Sequence, residues 1–273
     1  MVSVLTARDN VVDRYVDDNR IFAGGNAVNV AVFARRAAAR SAYAGTVGTD
    51  AAGALIRGAL SREDVCTDLL LTRPGSTAHC VIRRQEGERY FGATSLGVSR
   101  TDFQDDFAAT ASRFDAVHIS ESSRLENMIP RLGGSSRLSF DFAVNRDGRL
   151  VGSVAPHCFL ASFSGGDLTR ADALALAHHA AQQGATWSLV TRGGAGALLV
   201  GRNRCYEVAA APTTLVDTLG AGDTFIATLL VRILQGTHPA EAMDRASKAA
   251  AQTCARLGAF GEGQPFNDRR YFD

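Results

Sequence analysis

Asp217-Thr218-Leu219-Gly220-Ala221-Gly222-Asp223-Thr224-Phe225 is the stretch on which the fold turns. Residues 214–216 read as a short strand leading into it, and residues 221–234 as a long amphipathic helix leading out. The small residues Gly220, Ala221 and Gly222 let a backbone approach a ligand closely. Their N–H groups stand at a helix start, where the helix dipole favours an anion. Asp223 follows in the first turn. A carboxylate there is placed to take a proton from an attacking hydroxyl while amides stabilise a phosphoryl group in transfer. It is also what a simple helix cap looks like, and the stretch alone fits either reading.

Working outward, the rest of the chain supplies an α/β rhythm. Residues 2–5 read as a buried strand ending in a loop over 6–10, and residues 26–37 as a helix after the Gly24-Gly25 turn. Residues 41–47 return as a strand and 51–60 as a helix. Further strands are expected over 116–119, 138–142, 158–161, 187–191 and 197–200, and helices over 170–183 and 240–256. Such alternation marks a layered domain with a largely parallel sheet. The rhythm breaks at residues 77–84 and 89–94, two strand-like runs joined by Gln85-Glu86-Gly87-Glu88. This hairpin is either a flap or an antiparallel edge of the main sheet. The tail after Gly261 is polar and reads as irregular.

Bulk properties narrow the function. The 273 residues are 46% hydrophobic, enough for one large core. A net charge of +1 gives no field for nucleic acid or an anionic membrane, so neither is an expected partner. Cys66, Cys80, Cys158, Cys205 and Cys254 are scattered, without a CxxC pair, and read as buried reduced thiols. His178 and His179 are adjacent, so on a helix they point apart and make no metal pair. Arg8 and Asp9 interrupt the first apolar run, and the run over 225–234 is too short to span a bilayer. The expected compartment is the cytoplasm.

The extended pattern carries a resemblance. Asp-Thr-x-Gly-Ala-Gly-Asp resembles the second signature of the PfkB/ribokinase carbohydrate kinases. Gly24-Gly25-Asn26-Ala27-Val28-Asn29-Val30-Ala31 resembles the first, in the expected order and most of a chain away. The likeness covers roughly residues 2–260. It implies a ribokinase-like three-layer fold over residues 1–273 as a single domain. A small β lid is expected, formed mainly by 77–94, with 14–23 as a lesser contributor. It also implies an ATP-dependent phosphotransferase that uses Mg²⁺.

Asp223 then matches the catalytic base, and Gly220, Ala221 and Gly222 the anion hole. Gly24, Gly25 and Asn29 match sugar contacts, as does Asp9 at the end of the first strand, with Asp13 just beyond. Thr191-Arg192-Gly193-Gly194-Ala195-Gly196 resembles the turn that meets ATP, which assigns Thr191, Arg192, Gly193 and Gly196 to the nucleotide. Residues 249–260 match the adenine wall. Asp217 matches a position that holds a monovalent cation, K⁺, in relatives. Ser164-Gly165-Gly166-Asp167 stands where the family carries Asn-x-x-Glu. Asp167 reads there as a Mg²⁺ contact through water or as a cap for the next helix. No Gly-Lys-Ser/Thr follows a glycine loop, so this is not a Walker A site.

Within the family, the opening Asp9-Asn10-Val11-Val12-Asp13-Arg14-Tyr15, the stretch from Phe22 to Val32, and Ser139-Phe140-Asp141-Phe142 resemble the fructoselysine 6-kinase type. That implies phosphorylation of the 6-hydroxyl of a sugar-amine such as fructoselysine, with His79 and Arg89 as candidate contacts for its amino-acid part. Kinases for ribose, fructose, phosphosugars or nucleosides stand as the alternative. A binding regulator that has lost catalysis is the rival from another class. A homodimer is compatible with the family pattern.

Overall fold

The computed structural model describes residues 1–85, 88–100, 107–201 and 204–266, with the backbone alone at 84, 85, 88, 89 and 100. The chain opens with β1 (Ser3–Ala7), β2 (Val11–Tyr15), β3 (Arg20–Gly24), α1 (Asn26–Arg36), β4 (Arg40–Gly48), α2 (Ala51–Arg62) and β5 (Cys66–Arg73). A hairpin follows, β6 (His79–Gln85) and β7 (Glu88–Ser95). Next come α3 (Phe107–Ala111), β8 (Ala116–Ser120), α4 (Ile129–Ser135), β9 (Arg137–Asp141), α5 (Gly148–Val154), β10 (Cys158–Ser164), α6 (Arg170–Gln182) and β11 (Trp187–Thr191). The chain ends with β12 (Ala197–Gly201), β13 (Arg204–Val208), α7 (Ala221–Leu234), α8 (Pro239–Cys254) and β14 (Gln264–Pro265).

Among the described residues the main sheet has nine strands, in the order β13-β12-β11-β10-β9-β8-β1-β4-β5. From β11 to β5 every ladder is parallel; β12 and β13 return antiparallel at one edge. β1 and β8 are buried at every residue, as expected for strands covered on both faces. Alternation along each strand feeds two cores. Val4, Leu160 and Leu189 join the core under α1, α2, α7 and α8. Leu5, Ala161 and Val190 join the core under α3 to α6. Helix α1 lies so deep that residues 27–34 are all buried, which is why it is built of Ala, Val and Asn. Among the described residues no helix is long and apolar enough to cross a membrane.

The second sheet runs β14-β3-β2-β6-β7. The expected hairpin is there, but in this separate sheet and not at an edge of the main one. Its partner, the β2–β3 hairpin over residues 11–24, takes in the 14–23 stretch expected as a lesser part of the lid, and its first strand starts earlier, at Val11. The tail expected to be irregular adds β14 against β3. The strand expected over 214–216 is absent; that segment instead donates from Val216 N and Asp217 N to the carbonyl of Cys254. Two of the cysteines expected to be buried, Cys66 and Cys205, are exposed. Residues 86 and 87 of the hairpin turn and the side chain of Arg89 lie outside the described residues.

The topology explains where a site can form. The chain leaves β1 toward β4 and β5, then returns to lay β8 on β1's other side. Such a switch point opens a crevice at the carboxyl ends of the strands. Asp9 follows β1, Asp141 ends β9, Ser164 ends β10 and Thr191 ends β11 at this edge. Tyr15, Phe22 and Ile82 of the second sheet pack on Leu219 and Leu257 beside it.

Candidate active site

Asp223 stands in the first turn of α7, but it does not cap the helix. The N-cap is Gly220 in the left-handed region (φ 76°), and no side chain caps the end. The carboxylate instead accepts from Asn26 Nδ2 at 2.8 Å and Asn29 Nδ2 at 2.6 Å. These asparagines are three residues apart on α1 and therefore share a face. Burial pushes the Asp223 acid up to about 7, helped by the nearby carboxylates of Asp141 and Asp9 and opposed by the two amide hydrogen bonds. Thr224 N returns to Gly220 O and Ala221 N to Thr218 O, while among the described residues Gly222 N and Asp223 N have no backbone acceptor. A Cβ added to Gly222 would meet open space, whereas one on Gly220 would stand 2.4 Å from Ala259 Cβ. The helix start thus offers free donors in an open cradle, which fits a phosphate oxygen.

The glycines of the first signature have a packing explanation. A Cβ on Gly25 (φ 101°) would come within 2.2 Å of Asp9 O, and one on Gly24 within 2.0 Å of Asp13 Oδ2. The pair therefore lets the start of α1 sit directly on the loop after β1. There Arg8 (φ 57°) and Asp9 (φ 45°) are both in the left-handed region, a conformation that neighbouring contacts must hold in place. Asp9 Oδ2 accepts from Asn26 N at 3.0 Å and Ser122 Oγ at 2.6 Å. Burial raises its acid. Asp13 is buried on β2. Among the described residues Asn29 Oδ1, which is buried, finds no hydrogen-bond partner.

Three further residues join this cluster that the sequence reading did not single out as site residues: Asn26, His118 and Asp141. Asn26 Nδ2 donates to Asp141 Oδ2 at 2.8 Å as well as to Asp223, so both its amide hydrogens are engaged. Its oxygen therefore faces His118 Nε2 at 2.9 Å, and Nδ1 of that ring meets Ser139 Oγ at 2.9 Å. Burial lowers His118 to about 3, so the ring is neutral with its hydrogen on Nε2. Burial raises Asp141 to about 6, with Ala143 N, Ser162 and Asn26 pulling against it and the Asp9 charge adding to it. The available signal was the first Asn of the Gly-Gly-Asn stretch and the acid in Ser-Phe-Asp-Phe. Nothing in their local patterns says that they meet.

The expected nucleotide residues border the same edge. Gly193 (φ 54°) and Gly194 have open space where a side chain would go. Gly196 (φ 85°) is needed for packing, since a Cβ there would lie 2.0 Å from Val208 O. Thr191 Oγ1 reaches Phe163 O at 3.4 Å, and among the described residues the buried Arg192 Nε has no partner. In the segment expected as adenine wall, Gly258 (φ 73°) packs on the Phe22 ring.

The two acids expected near cations are both engaged. Asp167 is forked by Arg146 at 2.6 and 2.8 Å, and that contact holds its acid down at about 2. It does not cap α6; Thr169 does, accepting from Asp172 N. Asp217 accepts from Tyr15 Oη at 2.5 Å, Gly258 N at 3.0 Å and Leu219 N at 3.1 Å, tying the second sheet to the anion loop. Among the described residues no group of three or more His, Cys, Asp or Glu is arranged to hold a metal ion.

A mainly parallel sheet carrying an acid beside an open helix start sets a proton acceptor next to a place for a phosphate, as phosphoryl transfer requires. The family model described as pfkB family carbohydrate kinase matches residues 3–130 and 160–264, and the chain belongs to that family. It is 37% identical over 270 residues to fructosamine kinase FrlD of Bacillus subtilis, covering 97% of this chain and 95% of that one. It is 32% identical over 264 residues to fructoselysine 6-kinase of Escherichia coli, covering 95% of this chain and 100% of that one. Arabidopsis thaliana ribokinase complexed with ribose and ATP shares the fold with a TM-score of 0.81 at 19% identity, over 95% of each chain. The fold is ribokinase-like, as the sequence motifs implied.

Proposed function

We propose that this carbohydrate kinase phosphorylates the 6-hydroxyl of a fructosamine such as fructoselysine, using ATP, in the cytoplasm. The observation that carries the reading is its likeness, over nearly the whole chain, to proteins named for that activity. The site's chemistry supports it. Among the described residues, Asp9, Asp141 and Asp223 converge without a basic side chain bonded to any of them, which suits a substrate rich in hydroxyls and bearing a cationic amine.

In this reading Asp223 takes the proton of the attacking hydroxyl. Gly220, Ala221 and Gly222 form the anion hole. Asp9, Asp13, Gly24, Gly25 and Asn29 hold the sugar, directly or by shaping the loop, and Asn29 Oδ1 awaits a donor. Thr191, Arg192, Gly193 and Gly196 border the nucleotide. ATP with Mg²⁺ supplies the phosphoryl group, and Asp167 would meet the ion through water. The hydrogen bonds on Asp217 leave it few free lone pairs, so any K⁺ there would rely chiefly on backbone carbonyls. The second sheet acts as the lid, with His79 at the start of β6 among its strands.

ADP release measured with fructoselysine, fructose, ribose and a nucleoside tests the proposal. Fructoselysine is expected to give the highest kcat/KM, with the product's phosphate on carbon 6 by NMR. A higher kcat/KM for any of the others would remove the fructosamine assignment while leaving the kinase intact.

A further inference from the structure

The parallel strands have a second end. At the N-terminal edge of the main sheet, opposite the site just described, lies a cleft of about 570 Å³, within the size range of small-ligand sites. Its walls come from the first residues of β9, β10 and β11, from β13, and from the α7–α8 turn. Strand register explains why it is open. Trp187, Gly201 and Arg204 fall at one level, and a Cβ on Gly201 would stand 2.4 Å from the indole. The missing side chain lets the indole fill that place and leaves an aromatic wall. Tyr206 lies 6.3 Å from Trp187, ring to ring, and His238 stands edge-on to Tyr206 at 5.8 Å.

Two guanidinium groups complete the cleft. Arg137 lies 5.9 Å from the Phe159 ring centroid, and Arg204 enters from β13. Arg146, Arg170 and Arg245 each pair with a carboxylate at 2.6–2.7 Å. Among the described residues the guanidinium groups of Arg137 and Arg204 enter no ion pair or hydrogen bond, and no carboxylate lines the cleft. Asp115 feels the charge of Arg137, but its carboxylate is bonded by Ser3 N and Oγ. Forked cations bind phosphate oxygens well, and aromatic faces take a flat ring. We propose that this cleft binds a small aromatic phosphate, with its ring against Trp187 and Tyr206 and its phosphate toward Arg137 and Arg204. It is a site separate from that of phosphoryl transfer.

Trp187 is the sole tryptophan of the chain, so its emission reports on this cleft. Titrating the protein with phenyl phosphate, in the presence of saturating ATP, is expected to change that emission saturably. Inorganic phosphate should bind more weakly, since it lacks the ring. The double variant Arg137→Ala/Arg204→Ala should weaken phenyl phosphate binding by about tenfold or more. Both side chains are exposed, so its circular dichroism should match the wild type. Calorimetry on the same preparations gives an independent affinity. An unsaturable response, equal affinity in the double variant, displacement by ATP, or inorganic phosphate binding as tightly as the aryl ester would overturn the site.

Discussion

Asp223 and Asp167 are the same residue type near the starts of two helices, yet the protein gives them opposite chemistry. Asp223 is half-buried, bonded by two neutral amides and close to two other acids, and sits at about 7. Asp167 has 67% of its side chain exposed, is forked by Arg146, and sits at about 2. An acid near neutrality is matched to taking a proton from a hydroxyl and giving it up again; one held at about 2 is a poor proton acceptor. The contrast is set by partners and solvent, not by the residue or its place on a helix.

The largest expected break in this comparison is Asp223→Asn. With the carboxylate replaced, kcat should fall by about 10²–10⁴, the usual range for losing a positioned base. Substrate KM values should change little. The pH dependence of stability gives a second readout. The folded acid is raised above its unfolded value, so the folded state holds the proton more tightly. Its contribution is present below pH about 4 and is lost as pH rises through about 7. Asp223→Asn should flatten that decline in melting temperature. Wild-type turnover in the variant would remove Asp223 from the chemistry.

A smaller effect is expected at Asp141. Its carboxylate shares Asn26 with Asp223 and raises the Asp223 acid through its charge. Asp141→Asn removes that charge, so Asp223 should ionise at lower pH. The acid limb of the kcat/KM profile should therefore shift toward lower pH, with a loss of about tenfold or less at pH 8. A limb that stays in place, or moves up, would mean the two acids are not coupled.

How much of this was legible in the sequence follows from the range of each signal. The anion loop and Gly24-Gly25 are local: small residues beside a helix start announce close approach whatever surrounds them. The parallel sheet was legible too, because strand and helix periods alternate. The Asn26–His118–Asp141 link was not, because it joins α1, β8 and β9 through side chains 92 and 115 residues apart. Of the β2–β3 hairpin over residues 11–24, the sequence marks only 14–23, as a lesser part of the lid, because strands of five residues each give a weak periodic signal. The strand expected over 214–216 holds Thr214 and Val216, residue types at home in strands, but the segment is held by α8 instead of a sheet.

Asp167 should show the smallest effect, and it sharpens the contrast with Asp223. Exposed ion pairs contribute little to stability, so Asp167→Ala should leave the melting temperature near neutral pH almost unchanged. Any contribution has the opposite pH sign to that of Asp223. The folded acid is depressed, so it is present above pH about 4 and lost as pH falls through about 2. Catalysis is where the position can matter. If Asp167 meets Mg²⁺ through water, the Mg²⁺ concentration for half-maximal rate should rise by about threefold to tenfold in Asp167→Ala, the scale of one lost water-mediated contact. The sugar KM and the acid limb of the pH profile should stay where they are, because Asp223 is untouched. An unchanged Mg²⁺ curve would leave Asp167 as no more than the partner of Arg146. A loss of turnover as large as that of Asp223→Asn would break the comparison itself, because a charge-paired surface acid would then be as necessary to the chemistry as the half-buried one.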